Sequence, residues 1–123
     1  MTGNHPHLVA VYGTLKRGEC NHHLLLRSPC LGQVRLSRLR LYNLGPYPMA
    51  VACADPAAMV AAELYAISAA VLGELDVLED HPREYVRQPW PLPDGRQAWV
   101  YLGRPAQVRD CPLLADGVWQ GGG

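Results

Sequence analysis

The feature that most limits what this chain can fold into is a single change of hydrophobic period. Val60, Ala62, Leu64 and Ala66 alternate with Ala61, Glu63 and Tyr65, the two-residue repeat of a strand with one face turned to a core. Directly afterwards the repeat becomes helical. Val71, Leu72, Leu75 and Leu78 share one stripe at about 100° per residue, Ser68 stands in front as a side-chain cap, and Pro82 cannot extend the helix. A strand over 60–66 and one principal helix over 69–79 are therefore expected.

Strand patterns lie on both sides of that helix. Leu8-Val9-Ala10-Val11 is a short apolar run ending at Tyr12-Gly13, a buried strand entering a turn. Asn21 can cap a brief helical turn through Leu26. Val34 and Leu36 alternate with polar neighbours, but Leu39 and Leu41 fall on the opposite parity, so a bulge or corner is expected near Ser37-Arg38. Gly45-Pro46-Tyr47-Pro48 is a stiff loop, and Asp94-Gly95 marks a hairpin between 85–90 and 97–102, made irregular by Pro91 and Pro93. Residues 103–123 are rich in Gly and Pro and show no period. The class expected is α+β with a curled sheet or small barrel, in a single domain spanning 1–123 with its core at about 8–102.

Charge removes whole classes of function. Eleven basic residues balance eleven acidic ones, so no broad field attracts nucleic acid or an anionic membrane. The apolar run near the N-terminus is about five residues, short of a signal or a span, and a cytoplasmic location is expected. Cys20, Cys30, Cys53 and Cys111 form no C-x-x-C pair and are expected to be free, buried thiols. His5, His7, His22, His23 and His81 offer no zinc spacing, so no metal is expected. Cys20 lies near His22 and His23, yet nothing in the sequence orients a base on it.

Two segments carry chemistry. The first, Tyr12-Gly13-Thr14-Leu15-Lys16-Arg17-Gly18, puts a glycine at the end of a buried strand, where free backbone amides can hold a carboxylate or an oxyanion. It is not a phosphate loop: Glu19 and Cys20 stand where Lys and Ser or Thr would be needed. The second is the end of the helix. On the helical wheel Glu79 projects between Leu72 and Leu75, whereas Glu74 and Asp80 project outward and Asp76 sits at the edge. A carboxyl aimed at apolar surroundings near a helix C-terminus is pushed toward its protonated form, which suits a group that must both take and give a proton near neutrality. The alternatives are that Gly13 serves only a tight turn and that Glu79 pairs with Arg83 or Arg87.

Together these segments form a recognisable set. Val11 to Gly18 with Asn21-His22, then Pro46-Tyr47-Pro48, then Leu75-Asp76-x-x-Glu79-x-x-Pro82-x-x-Tyr85-x-Arg87, resembles the γ-glutamyl cyclotransferase-like family, especially its γ-glutamylamine cyclotransferase and AIG2-like branch. The resemblance implies a mixed β-barrel with flanking helices and no cofactor. It implies that the loop of Tyr12, Gly13, Thr14 and Leu15 cradles a γ-glutamyl group, that Glu79 is the catalytic acid/base, and that the product is 5-oxoproline. Tyr47, Tyr85 and Tyr101 are candidate wall or hydrogen-bonding residues of the substrate site. Asp80, next to Glu79, departs from an ideal site because it could repel an anionic substrate tail. A noncatalytic small-molecule-binding or regulatory protein with the same pocket is the alternative reading.

Overall fold

The computed structural model describes residues 5–121, so the reading of Met1 to Asn4 and the ends of the expected domain lie outside the described residues. Eight strands and one α-helix follow in order: β1 His7–Val11, β2 Cys30–Ser37, β3 Leu39–Asn43, β4 Pro48–Ala52, β5 Met59–Ile67, α1 Ala69–Leu78, β6 Val86–Pro91, β7 Gln97–Gly103 and β8 Leu113–Leu114. Short 3-10 turns occupy His22–Leu25 and Pro105–Val108. The helix begins where expected, with the Ser68 hydroxyl accepting from the Val71 amide at 3.2 Å.

The strands make one mixed sheet in the order β2-β5-β1-β7-β4-β3-β8, with β6 paired to β7. This corrects the barrel: among the described residues no pairing joins β2 to β8, so the sheet curls without closing. The final strand has two residues in a Gly- and Pro-interrupted segment, too short to reach across. The expectation of several flanking helices is replaced by one α-helix and the two 3-10 turns.

The sheet forks at β7. One edge of β7 is taken by β6 from Gln97 to Leu102. The other is shared by two parallel neighbours: β1, paired at Val9 with Trp99, and β4, paired at Ala50 with Leu102. β1 therefore peels away from β7 where β4 takes over, and the chain leaving β1 at Tyr12 enters a loop over that opening. Both faces of β1 are covered. Ala10 and Tyr12 pack inside the curl with Leu36, Leu39 and Val100, while Val9 and Val11 pack on the other face with Leu72 and Leu75 of α1.

The parity slip is resolved as expected, at a corner. Arg38 takes φ 63°, turning β2 into β3, so Leu36 and Leu39 enter the same core although three positions apart. The tail, expected to lie outside the core, joins it. β8 extends β3, the Ala61 amide donates to the Gly117 carbonyl at 2.9 Å, and Trp119 is buried in the curl. Gly117 has φ 69°, and a side chain there would run into the Met59 carbonyl, so only glycine fits. The thiols are free but none is buried: Cys20 and Cys30 are exposed, Cys53 and Cys111 partly so.

Because Trp119 fills the curl rather than trailing from it, Trp119→Ala is expected to lower the unfolding free energy by about 3–5 kcal/mol. Urea denaturation reads this directly; a loss under about 1 kcal/mol would mean that the tail is not part of the core.

Candidate active site

The loop after β1 is held by its own turns and by distant segments. Lys16 N donates to Gly13 O and Asn21 N to Thr14 O, while the Asn21 side-chain amide donates to Thr14 Oγ1 at 3.0 Å. Asn21 does not cap the 3-10 turn through its side chain, as the sequence suggested; it ties the loop to itself. From β5, Glu63 accepts from the Arg17 amide at 2.8 Å, and Tyr65 lies against the ring of His22, whose Nδ1 is 2.9 Å from Leu15 O. From the tail, the Trp119 carbonyl accepts from Lys16 Nζ at 2.5 Å, and Glu19 accepts from the Gly121 amide at 3.1 Å.

These contacts leave the amides of Gly13, Thr14 and Leu15 without a partner among the described residues. Gly13 is required here for a close approach: a Cβ would stand 2.8 Å from the Pro48 ring. A loop whose carbonyls are used and whose successive N–H groups are free is a site for an anionic oxygen.

The second element is the end of α1. Asp80 takes φ 50°, its amide donates to Val77 O, and the His81 amide donates to Asp76 O at 3.0 Å. That pair of bonds is a Schellman turn with Asp80 in the left-handed position, and it fixes Glu79 as the last residue before the chain reverses. Asp80 is thus a turn residue, paired with Arg83 at 3.3 Å, and does not line the cavity, contrary to the expected repulsion. The anticipated partners of Glu79 are engaged elsewhere. Arg87 is held bidentately by Asp76 at 2.8 and 3.1 Å and lies 4.3 Å over the Trp99 ring.

The Glu79 carboxyl makes no hydrogen bond or ion pair with any described residue, although its backbone amide donates to Leu75 O at 2.9 Å. Its carboxyl is pushed up from 4.5 to about 7, first by burial and then by the charge of Glu84. A carboxylate without donors in a desolvated place stays close to the balance between its two forms at neutral pH.

The residues expected from the sequence to form the substrate site meet at one cavity of about 210 Å³: Tyr12, Gly13, Thr14, Leu15, Tyr47, Glu79, Tyr85 and Tyr101. Three of the tyrosines have committed protons. Tyr12 donates to Tyr101 O at 2.5 Å, Tyr85 to Pro48 O at 2.8 Å and Tyr101 to Asp76 Oδ1 at 2.6 Å. Burial raises the phenol of each above its usual range, so they stay neutral and offer only lone pairs to a ligand. Asn21, Leu78 and Glu84 also line the cavity and were not anticipated there. Asn21 was legible as a neighbour of the loop. Glu84 lies beyond the helix end, where a helical wheel says nothing about direction.

With the loop, the acid and the forked sheet in view, comparison with known proteins places the chain. The family model described as "Gamma-glutamyl cyclotransferase, AIG2-like" matches residues 9–121, and the chain belongs to that family. It is a gamma-glutamylcyclotransferase-like enzyme. The Escherichia coli K12 gamma-glutamylcyclotransferase family protein YtfP is 37% identical over 112 residues, covering 90% of this chain and 94% of its own. The human gamma-glutamylaminecyclotransferase is 37% identical over 90 residues, or 65% of this chain and 58% of the longer human protein. The crystal structure of an AIG2-like protein from Mus musculus has the same fold, with a TM-score of 0.81 at 24% identity over 95% of this chain and 90% of that one. No helix among the described residues is long and apolar enough to cross a membrane.

The raised carboxyl has a consequence for stability that needs no substrate. Folded Glu79 keeps its proton up to about pH 7, whereas the unfolded chain releases it near 4.5. Between those values the folded state binds more protons, so its stability is full below the lower value and falls as pH rises through the upper one. The difference corresponds to about 3 kcal/mol. The wild type is expected to lose about that much relative to Glu79→Gln between about pH 4 and pH 8, read from urea unfolding at both ends. Parallel stabilities would contradict the raised value.

Proposed function

We propose that the enzyme cyclises a γ-glutamyl group to 5-oxoproline and releases the amine that had been acylated, with Glu79 as general acid and base. The observation that carries this reading is that an unpaired carboxyl and a run of free loop amides, Gly13 to Leu15, share one cavity. The substrate enters with its α-amine as an ammonium. Glu79 as carboxylate takes the first proton, and the freed nitrogen attacks the substrate's own γ-carbonyl carbon. As the tetrahedral intermediate collapses, the bond to the departing nitrogen breaks. The new lactam keeps one of the three original N–H protons, and the other two end on the leaving amine, which departs as an ammonium. One group near neutrality can serve both directions.

The rest of the cavity supplies orientation. The loop amides suit the substrate's α-carboxylate or the oxyanion that develops on the γ-carbonyl, and the lone pairs of Tyr12, Tyr85 and Tyr101 suit N–H groups of the ammonium. Because attack is intramolecular, holding the chain folded is itself a large part of the acceleration. No cofactor or metal is needed for a proton transfer of this kind.

Glu79→Gln is expected to reduce 5-oxoproline release from γ-glutamyl amides by about 10² or more while leaving the fold intact, measured by chromatography of the product. In the wild type the acid limb of kcat/KM should have its midpoint near pH 7, since the base form of Glu79 is lost as pH falls through its raised value. Unchanged turnover in the variant would remove Glu79 from the mechanism. No turnover by the wild type across γ-glutamyl amines, amino acids and peptides would leave a binding protein with the same pocket.

A further inference from the structure

The cavity contains a second acid that the proposed reaction does not use. Glu84 lines it together with Glu79, close enough for its charge to raise the Glu79 carboxyl, and it also acts on the phenol of Tyr47. No Lys, Arg or His is among the residues lining the cavity. The nearby cations are engaged outside it: Arg87 with Asp76, Arg83 with Asp80, Arg104 with the Arg83 carbonyl and Lys16 with the Trp119 carbonyl. A ligand filling this space therefore faces two carboxyl groups and must bring the positive charge itself.

The two ends of the cavity differ. Tyr12, Gly13 and Leu15, at the loop, are buried, whereas Tyr47, Glu84 and Leu78 are partly or largely exposed. A γ-glutamyl head held by the loop amides sends its leaving group toward the exposed end, where Glu84 stands beside Tyr47. We propose that Glu84 is a specificity-determining residue that selects γ-glutamyl amides whose leaving amine carries a further positive charge and rejects those ending in a carboxylate. The inference rests on the cyclisation reading for the identity of the head group; the charge preference rests on the cavity alone.

The zwitterionic head is neutral overall, so discrimination falls on the leaving group. A terminal ammonium near Glu84 gains a partner in a half-desolvated place. A terminal carboxylate there meets a like charge, as in a γ-glutamyl amino acid. A methyl group of the same reach does neither.

The test uses three compounds of matched length: the γ-glutamyl amides of 1,4-diaminobutane, of n-pentylamine and of 4-aminobutanoate, ending in an ammonium, a methyl and a carboxylate. Wild-type kcat/KM at a pH above the acid limb should fall about tenfold at each step in that order. In Glu84→Gln the spread should shrink to about twofold per step. Ratios are compared because removing Glu84 also changes Glu79, an effect common to all three compounds. Equal loss on all three would assign Glu84 to the head group or to structure and overturn the inference.

Calorimetric binding of the same compounds to Glu79→Gln and to the doubly substituted Glu79→Gln/Glu84→Gln protein separates the two readings. A charge ranking in binding that disappears with Glu84, without turnover by the wild type, would keep the inference and sink the cyclisation. Turnover without ranking would do the reverse, and neither binding nor turnover would overturn both.

Discussion

The hydroxyl of Tyr12 sits where three strands meet. It donates to the Tyr101 carbonyl on β7 at 2.5 Å and accepts from the Ala50 amide on β4 at 3.0 Å, while its own backbone carries β1 into the loop. Parallel strands β1 and β4 share an edge of β7 and must separate there, which would strand backbone groups at the fork. Tyr12 satisfies one from each side of the gap. The geometry of the site follows from that junction: Pro48 opens β4 against Gly13, and the Pro48 carbonyl takes the Tyr85 hydroxyl. Loop, sheet and cavity wall are thus joined through a few buried hydrogen bonds.

Against that rigid frame, two acids on one helix have opposite fates. Asp76 is fully satisfied by the Arg87 guanidinium and the Tyr101 hydroxyl, so it locks the end of α1 to β6 and β7. Glu79, one turn on, faces the cavity with no donor and a second carboxylate nearby. Had Arg87 turned to Glu79, the carboxyl would be held ionised and unable to return a proton. The pairing of Asp76 with Arg87 is therefore as much a condition of the site as Glu79 itself. The cost of an uncompensated carboxylate falls on folding stability above neutral pH.

The sequence revealed what is local. Ser68 and Pro82 bound the helix through rules that act over a few residues, the parity slip between Leu36 and Leu39 marked the corner at Arg38, and the wheel angle of Glu79 gave its direction. What it concealed is set by contacts across the chain. The tail shows no period because it is shaped by Trp119 entering a core and by bonds from Trp119 and Gly121 to Lys16 and Glu19, about a hundred residues earlier. The open sheet instead of a barrel depends on which strands share the edges of β7, and alternation cannot encode that. Glu84 was missed because its direction is fixed by a turn, at Asp80, whose left-handed residue is not a glycine.

The account turns on one physical claim, that the Glu79 carboxyl is held near the midpoint of its titration at neutral pH by burial and by Glu84. The direct measurement is a carbon-13 NMR titration of the glutamate side-chain carboxyls in the ligand-free protein, with Glu79→Gln used to assign the resonance. A midpoint near 7 is predicted. A midpoint at the ordinary 4.5 would contradict the account, because such a carboxylate is too weak a base to take and hold the ammonium proton that the leaving amine later receives.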